Sequence, residues 1–188
     1  VKAHHTAEAM RAVAPRLAPD GYVLSLQNGM NEPVIAAAVG EARVVGAFVN
    51  FGADVVGPGR ILRGNRATFK IGELDGSDSE RVRRLAADIA DAEATSNIAG
   101  YLWAKEAYGA MLFATAVSDL SIADALADPA YRPLHLALAR EVLAQATAPP
   151  EPFDGFDPAD LEGSIDRLVE FNRGSAKSHS GIYRDLAV

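Results

Sequence analysis

Two hydrophobic periods alternate along the first half of the chain, and only the helical one persists in the second half. Thr6 reads as the N-cap of a helix running to Leu17, with Met10, Val13 and Ala14 on one face and Pro15 shortening or bending it. Residues 22–26 form a short apolar strand that stops at the turn pair Asn28-Gly29. Residues 32–39 suit a short helix closed by Gly40, and residues 44–51 a β-branched, aromatic-rich strand. Residues 60–62 and 67–71 flank Gly64-Asn65 and predict a hairpin. A capping box from Ser77 to Glu80 then opens a helix whose apolar positions are Val82, Leu85, Ala86 and Ile89. Strand and helix in alternation predict an α/β layer.

Beyond about Asn97 strand signals vanish and three helices follow. The first, residues 101–119, is apolar all round and so expected to be buried. The second, residues 133–148, starts on a proline and carries Leu134, Leu138, Val142 and Leu143. The third is capped at Asp157-Pro158 and turns Leu161, Ile165, Leu168 and Val169 inward, after a proline-rich loop over 148–158. The fold class predicted is α/β followed by all-α, with a first domain over 1–97 and a helical domain over 98–188. Val1-Lys2 looks like the end of a strand, and the first domain has few strands for a parallel sheet built from βαβ units. An N-terminal portion is therefore expected upstream.

Charge sharpens the division. Residues 1–97 hold 11 Lys/Arg against 12 Asp/Glu, while residues 98–188 hold 7 against 13. An acidic second half argues against nucleic acid as a partner. The longest apolar run, residues 107–117, is too short for a bilayer span of about 20 residues, and the N-terminus has no signal-peptide pattern. With no cysteine, disulfides and thiolate chemistry are excluded; a soluble, cytoplasmic protein is the expectation.

Two features suggest chemistry. Lys105 sits in an apolar helix, among Leu102, Trp103, Ala104, Ala107, Met111 and Leu112. An ammonium there would have its pKa pushed down and could protonate a developing alkoxide; the alternative is a lysine reaching the surface beside Glu106. Asn28 occupies a strand-to-helix turn, where α/β proteins place ligand groups, although Asn-Gly is also a common structural turn. Lys2 either neutralises a phosphate or ends a strand in solvent. Ser180 taken alone is a loop or cap serine. The adjacent His4 and His5 would project to opposite sides of a strand, and with His179 they show no metal-ligand spacing, so no metal site is expected. Arg60, Arg63 and Arg66 could attract phosphate, but better suit a charged edge hairpin.

The ordered set Val1-Lys2-Ala3, Thr6, Leu26-Gln27-Asn28-Gly29-Met30, Val45-Gly46, Ile71-Gly72-Glu73, Trp103-x-Lys105, Ser180 and Asp185 resembles the ketopantoate reductase (2-dehydropantoate 2-reductase) family across nearly the whole chain. Residues 179–186 are similar to a branch of that family with uncharacterised or broadened substrates. The resemblance implies a Rossmann-type NADPH domain, a helical substrate or dimerisation domain, and a homodimer as one assembly. It implies Lys105 as general acid, Lys2 and Asn28 along the cofactor, Asn28 also near the substrate, Gly52 beside the nicotinamide and Ser180 holding the substrate. It also places the family's glycine-rich phosphate loop upstream of Val1 and its catalytic glutamate beyond Val188. No Gly-x-Gly-x-x-Gly occurs in these 188 residues, so they alone are expected to bind cofactor weakly or not at all.

Three departures bear on the substrate. Family asparagines one and two helical turns after the lysine fall at Gly109 and Phe113, and the Ser180 to Asp185 interval is one residue longer. A 2-oxo acid other than ketopantoate, and bulkier, fits these changes. The contrasting reading is a non-catalytic remnant serving as an interaction or dimerisation module.

Overall fold

The computed structural model describes residues 1–64, 67–175 and 178–187. They divide into two compact units, Val1–Val49 with Thr68–Leu102, and Asn50–Ala67 with Trp103–Val188. The division falls after Leu102 rather than near 95–100. Residues 50–67, expected in the first domain, group with the helices.

The first unit is a Rossmann-like α/β layer. A 3₁₀ turn over Ala3–His5 leads into α1 (Thr6–Val13), followed by β1 (Val23–Ser25), α2 (Glu32–Val39) and β2 (Val44–Val49). After the excursion into the second unit come β5 (Phe69–Glu73), α3 (Glu80–Asp88) and β6 (Glu93–Ala94). The sheet runs β1-β2-β5-β6, with β1/β2 and β5/β6 parallel and β2/β5 antiparallel. The sequence Val44-Val45-Gly46-Ala47-Phe48 is buried throughout, as befits an apolar central strand with both faces covered. Met10, Ile35 and Val44 form the core under α1 and α2, joined by Ala14, Val23 and Leu74.

Several local expectations are corrected. Pro15 does end α1, as a 3₁₀ turn over Ala14–Arg16. Thr6, however, is the first helical residue rather than a cap, and its hydroxyl faces Gln27 and Asn31 instead. Val13 is exposed, because the face centred on Met10 and Ala14 excludes it. Ser79 rather than Ser77 caps α3, accepting from the Val82 amide. His4 and His5 lie in a 3₁₀ turn with their rings 4.0 Å apart, so they do not flank a strand.

Two glycines bring the first unit together. Gly46 and Gly72 face each other across β2 and β5. A Cβ on Gly72 would lie 2.6 Å from the Thr95 carbonyl and 3.0 Å from Ile98 Cβ; one on Gly46 would lie 3.0 Å from Ile98 Cγ1. The absence of both side chains makes the notch in which the buried Ile98, first residue of α4 (Ile98–Thr115), is seated. Beside them the buried Glu73 carboxylate takes a two-pronged bond from Arg81 (2.7 Å from Nε), which also reaches the Ala42 carbonyl at 2.9 Å.

In the second unit β3 (Ala53–Gly57) and β4 (Arg60–Arg63) pair with each other, not with β5. The hairpin turn is therefore Pro58-Gly59, with Gly59 at φ 66°, rather than Gly64-Asn65. Asn65 and Arg66 lie outside the described residues. The helices number five among those described: α4, α5 (Ile122–Ala127), α6 (Arg132–Leu143), α7 (Leu161–Arg173) and α8 (Gly181–Ala187). On α6 the inner positions are His135, Leu136 and Ala139, and Leu134 is exposed. On α7 Ile165, Leu168 and Val169 are buried as expected, but the cap is Asp160, which accepts from Gly163 N. The 153–156 turn, inside the proline-rich loop, adds Phe153 and Phe156, which pack on Tyr108 with ring centroids 6.1 and 6.2 Å away. Arg132 reaches Asp166 at 2.9 Å and Glu162 at 3.1 Å, fastening α6 to α7. Among the described residues no helix is long and apolar enough to cross a membrane.

Candidate functional site

The carboxyl end of β1 leads into a tight turn over residues 27–31 before α2 starts. Gly29 takes φ 89°, a conformation that suits glycine, and the turn exposes Asn28. The Gln27 amide donates to the Val1 carbonyl at 2.9 Å, so the Val1-Lys2-Ala3 segment lies against this turn. The first unit thus brings Lys2 and Asn28 to one edge, both exposed. Lys2 precedes the 3₁₀ turn in extended conformation and is not part of a strand among those described. Below the exposed rim the polar side chains are buried: Thr6, Ser25, Asn31 and Glu32. Burial holds the Glu32 carboxyl above the ordinary range.

The second unit carries the lysine. In α4, Leu102, Ala104, Ala107, Tyr108 and Met111 are buried around Lys105, which is itself only partly exposed. Desolvation lowers the Lys105 pKa from 10.5 to about 8, and the nearby Glu106 carboxylate opposes that shift. One turn on, Tyr108 is fully interior and its hydroxyl accepts from Asn172 at 3.0 Å; burial raises its pKa to about 12. It is a structural phenol rather than an acid. The next position, Gly109, faces open space, with nothing within 4 Å of an added Cβ, and Phe113 a further turn along is 61% exposed. This last departs from the expectation of a helix buried all round.

Gly52 lies at the base of the β3–β4 hairpin, where its carbonyl accepts from Gly64 N at 2.7 Å. The preceding residue, Asn50, donates to Asp154 at 2.7 Å and ties this segment to the 153–156 turn. Ser180 is buried and its Oγ accepts from the Tyr183 amide, capping α8; the same hydroxyl still has its proton to donate. Ile122 N to the Ser178 carbonyl (2.9 Å) and the Tyr183 hydroxyl to Asp119 (3.1 Å) hold this segment on the α4–α5 connection. Among the described residues no group of three His, Cys, Asp or Glu side chains is arranged to hold a metal. Asn31 in the first unit, and the Asn50–Asp154 pair in the second, hold these segments in ways that the sequence alone did not reveal.

Residues 1–76, which contain the Lys2 and Asn28 edge, match the family described as "Ketopantoate reductase PanE/ApbA". Together with the relatives below, this match supports kinship with the ketopantoate reductase family. A curated 2-dehydropantoate 2-reductase of Mesorhizobium japonicum is 28% identical over 175 residues, covering 79% of this chain and 52% of the relative. The chain therefore spans about half the length of that ketopantoate reductase. Among solved structures, the 2-dehydropantoate 2-reductase of Geobacter metallireducens superposes with a TM-score of 0.79 at 22% identity, covering 98% of this chain and 62% of the other. D-mandelate dehydrogenase with NADH and anilino(oxo)acetate gives a TM-score of 0.77 at 17% identity, covering all of this chain and 61% of the other. Both likenesses are of fold and take in residues of both units.

Proposed function

We propose that the chain carries the substrate-protonating part of an NADPH-dependent 2-oxo acid reductase, acting on 2-dehydropantoate or a related ketoacid. The observation that carries this reading is Lys105, an ammonium set among buried apolar side chains with its pKa brought to about 8. A group of that acidity is still largely protonated at neutral pH, yet gives up its proton far more readily than an ordinary lysine. As negative charge gathers on the substrate carbonyl oxygen, the ammonium both stabilises it and donates the proton. NADPH, when bound, supplies the hydride to the carbonyl carbon. The chain's own polar groups suit such a ligand: Lys2 offers a cation for phosphate, and Asn28 offers an amide that both donates and accepts. Gly52, lacking a side chain, suits close approach of a flat ring, and the Ser180 hydroxyl suits the substrate's carboxylate or hydroxyl end.

The open space at Gly109 and the exposed Phe113, on the side of α4 that adjoins Lys105, favour a 2-oxo acid with a bulkier apolar substituent than ketopantoate. A homodimer, in the cytoplasm, is the setting we propose for this reaction. The test, on the protein at its full natural length, is a titration with NADPH followed by cofactor fluorescence and melting temperature, then turnover on a panel of 2-oxo acids. Lys105→Ala should abolish turnover while leaving the melting transition in place. Retained turnover refutes the role of Lys105. A flat response to saturating NADPH favours the interaction-module reading instead.

A further inference from the structure

Asn31 occupies the N-cap position of α2 but makes no cap with its side chain. Asparagine is among the best capping residues, and here its amide is committed elsewhere. It turns back on the preceding residues: Nδ2 donates to the Asn28 carbonyl at 2.8 Å and to the Gly29 carbonyl at 3.3 Å, while its backbone N–H reaches the Gly29 carbonyl at 3.1 Å. The other end of the amide, Oδ1, lies 3.4 Å from the Thr6 hydroxyl of α1, which is 3.1 Å from Gln27 Oε1. Thr6 and Asn31 are both buried, at 3% and 6% exposure.

A peptide unit is planar, so pinning a carbonyl oxygen also pins the N–H of the next residue. The Asn28 carbonyl and the Gly29 nitrogen share one such plane, and the Gly29 carbonyl fixes the plane after it. That matters because Asn-Gly is chemically the most labile asparagine sequence. In a mobile chain the Gly29 nitrogen attacks the Asn28 side-chain carbonyl carbon, the C–N bond to the amide group breaks and ammonia leaves, giving a cyclic imide. Water then opens the ring at either carbonyl to aspartate or isoaspartate. The attack requires the plane between Asn28 and Gly29 to rotate about Asn28 ψ, which is the rotation that Asn31 opposes.

We propose that Asn31, seated by Thr6, is a positioning residue that locks the Asn28-Gly29 peptide planes and thereby preserves Asn28 as an amide in a fixed orientation. The benefit to ligand binding rests on the role proposed for Asn28; the lock does not. The experiment measures formation of aspartate and isoaspartate at Asn28 by peptide mass spectrometry after incubation at mildly alkaline pH. It compares the native protein, the same protein unfolded in urea, and the variants N31A, N31D, T6V and T6S, each checked for folding by circular dichroism. Native wild type should react at least roughly tenfold more slowly than the unfolded chain, because the hydrogen bonds of Asn31 must break before the plane can rotate. N31A and N31D, the latter keeping the shape but losing the Nδ2 donor, should lose most of that protection. T6V should lose part of it and T6S should retain it. The lock is overturned if folded N31A and N31D are as protected as wild type, or if native wild type reacts as fast as the unfolded chain. Should the N31 variants fail to fold, the T6V and T6S pair decides in the same way. NADPH titration of N31A in the protein at its full natural length reads the other question: lost protection with unchanged NADPH affinity leaves the lock standing and removes Asn28 from the ligand site.

Discussion

Replacing Lys105 by methionine, which keeps an unbranched chain of similar length, should stabilise the protein at neutral pH. Burial lowers the Lys105 pKa from 10.5 to about 8, a shift of roughly two and a half units, and each unit corresponds to about 1.36 kcal/mol. The folded state therefore bears a penalty of up to about 3 kcal/mol for holding this ammonium. The sign follows from proton binding: between about 8 and 10.5 the unfolded chain keeps a proton that the folded chain has released, so stability rises with pH across that window. The penalty is full below the folded pKa and gone above the unfolded one. Methionine removes it, so K105M should melt higher than wild type at neutral pH, by roughly 5–10 °C for a chain of this size. The gain should shrink as pH climbs through the window. Urea or thermal melts of both proteins across that range measure it without requiring turnover. A K105M protein no more stable than wild type at neutral pH, or equally stabilised at all pH values, refutes the burial argument. A residue that weakens the fold in this way is what a catalytic acid in an apolar helix should look like.

Other expectations are simpler. Arg81→Ala strands the buried Glu73 carboxylate and should cost about 3 kcal/mol in urea denaturation at neutral pH. Arg81 holds the Glu73 pKa below 4.5, so the pair's contribution exists above that value and fades as pH falls through the folded pKa; the deficit of the variant should fade with it. Gly72→Ala places a methyl 2.6 Å from the Thr95 carbonyl and should destabilise by about 1–3 kcal/mol, whereas Gly109→Ala, facing open space, should leave stability unchanged or slightly higher. Equal melting of wild type and Gly72→Ala would mean that the Ile98 notch is not tight.

The strands and helices that carry regular hydrophobic patterns were readable from the chain, β2 and α7 most clearly. What was not readable depended on partners distant in sequence. The Pro58-Gly59 turn lost to the more familiar Gly64-Asn65 signal, because nothing local says that β5 pairs with β2 instead of β4. Leu134 fits the apolar period of α6, but the buried face is centred on His135 and Ala139, a choice set by packing. Thr6 has the composition of a cap and Asn31 that of a loop residue; their meeting across 25 positions appears only when α1 lies beside the Asn28 turn. Asn28 and Lys105 stood out as candidates because each breaks a local rule, one as an amide at a strand end and the other as a cation in an apolar helix.

The antiparallel register of β2 and β5 sets how this protein could be dissected. Val49 sits opposite Phe69, so the whole 50–68 excursion begins and ends at paired positions. Cutting the gene after Leu102 would leave the β3–β4 hairpin stranded on a fragment that lacks its companions. Splicing residue 49 to 69 through a tight two-residue turn should instead remove the hairpin while keeping the β2/β5 register intact.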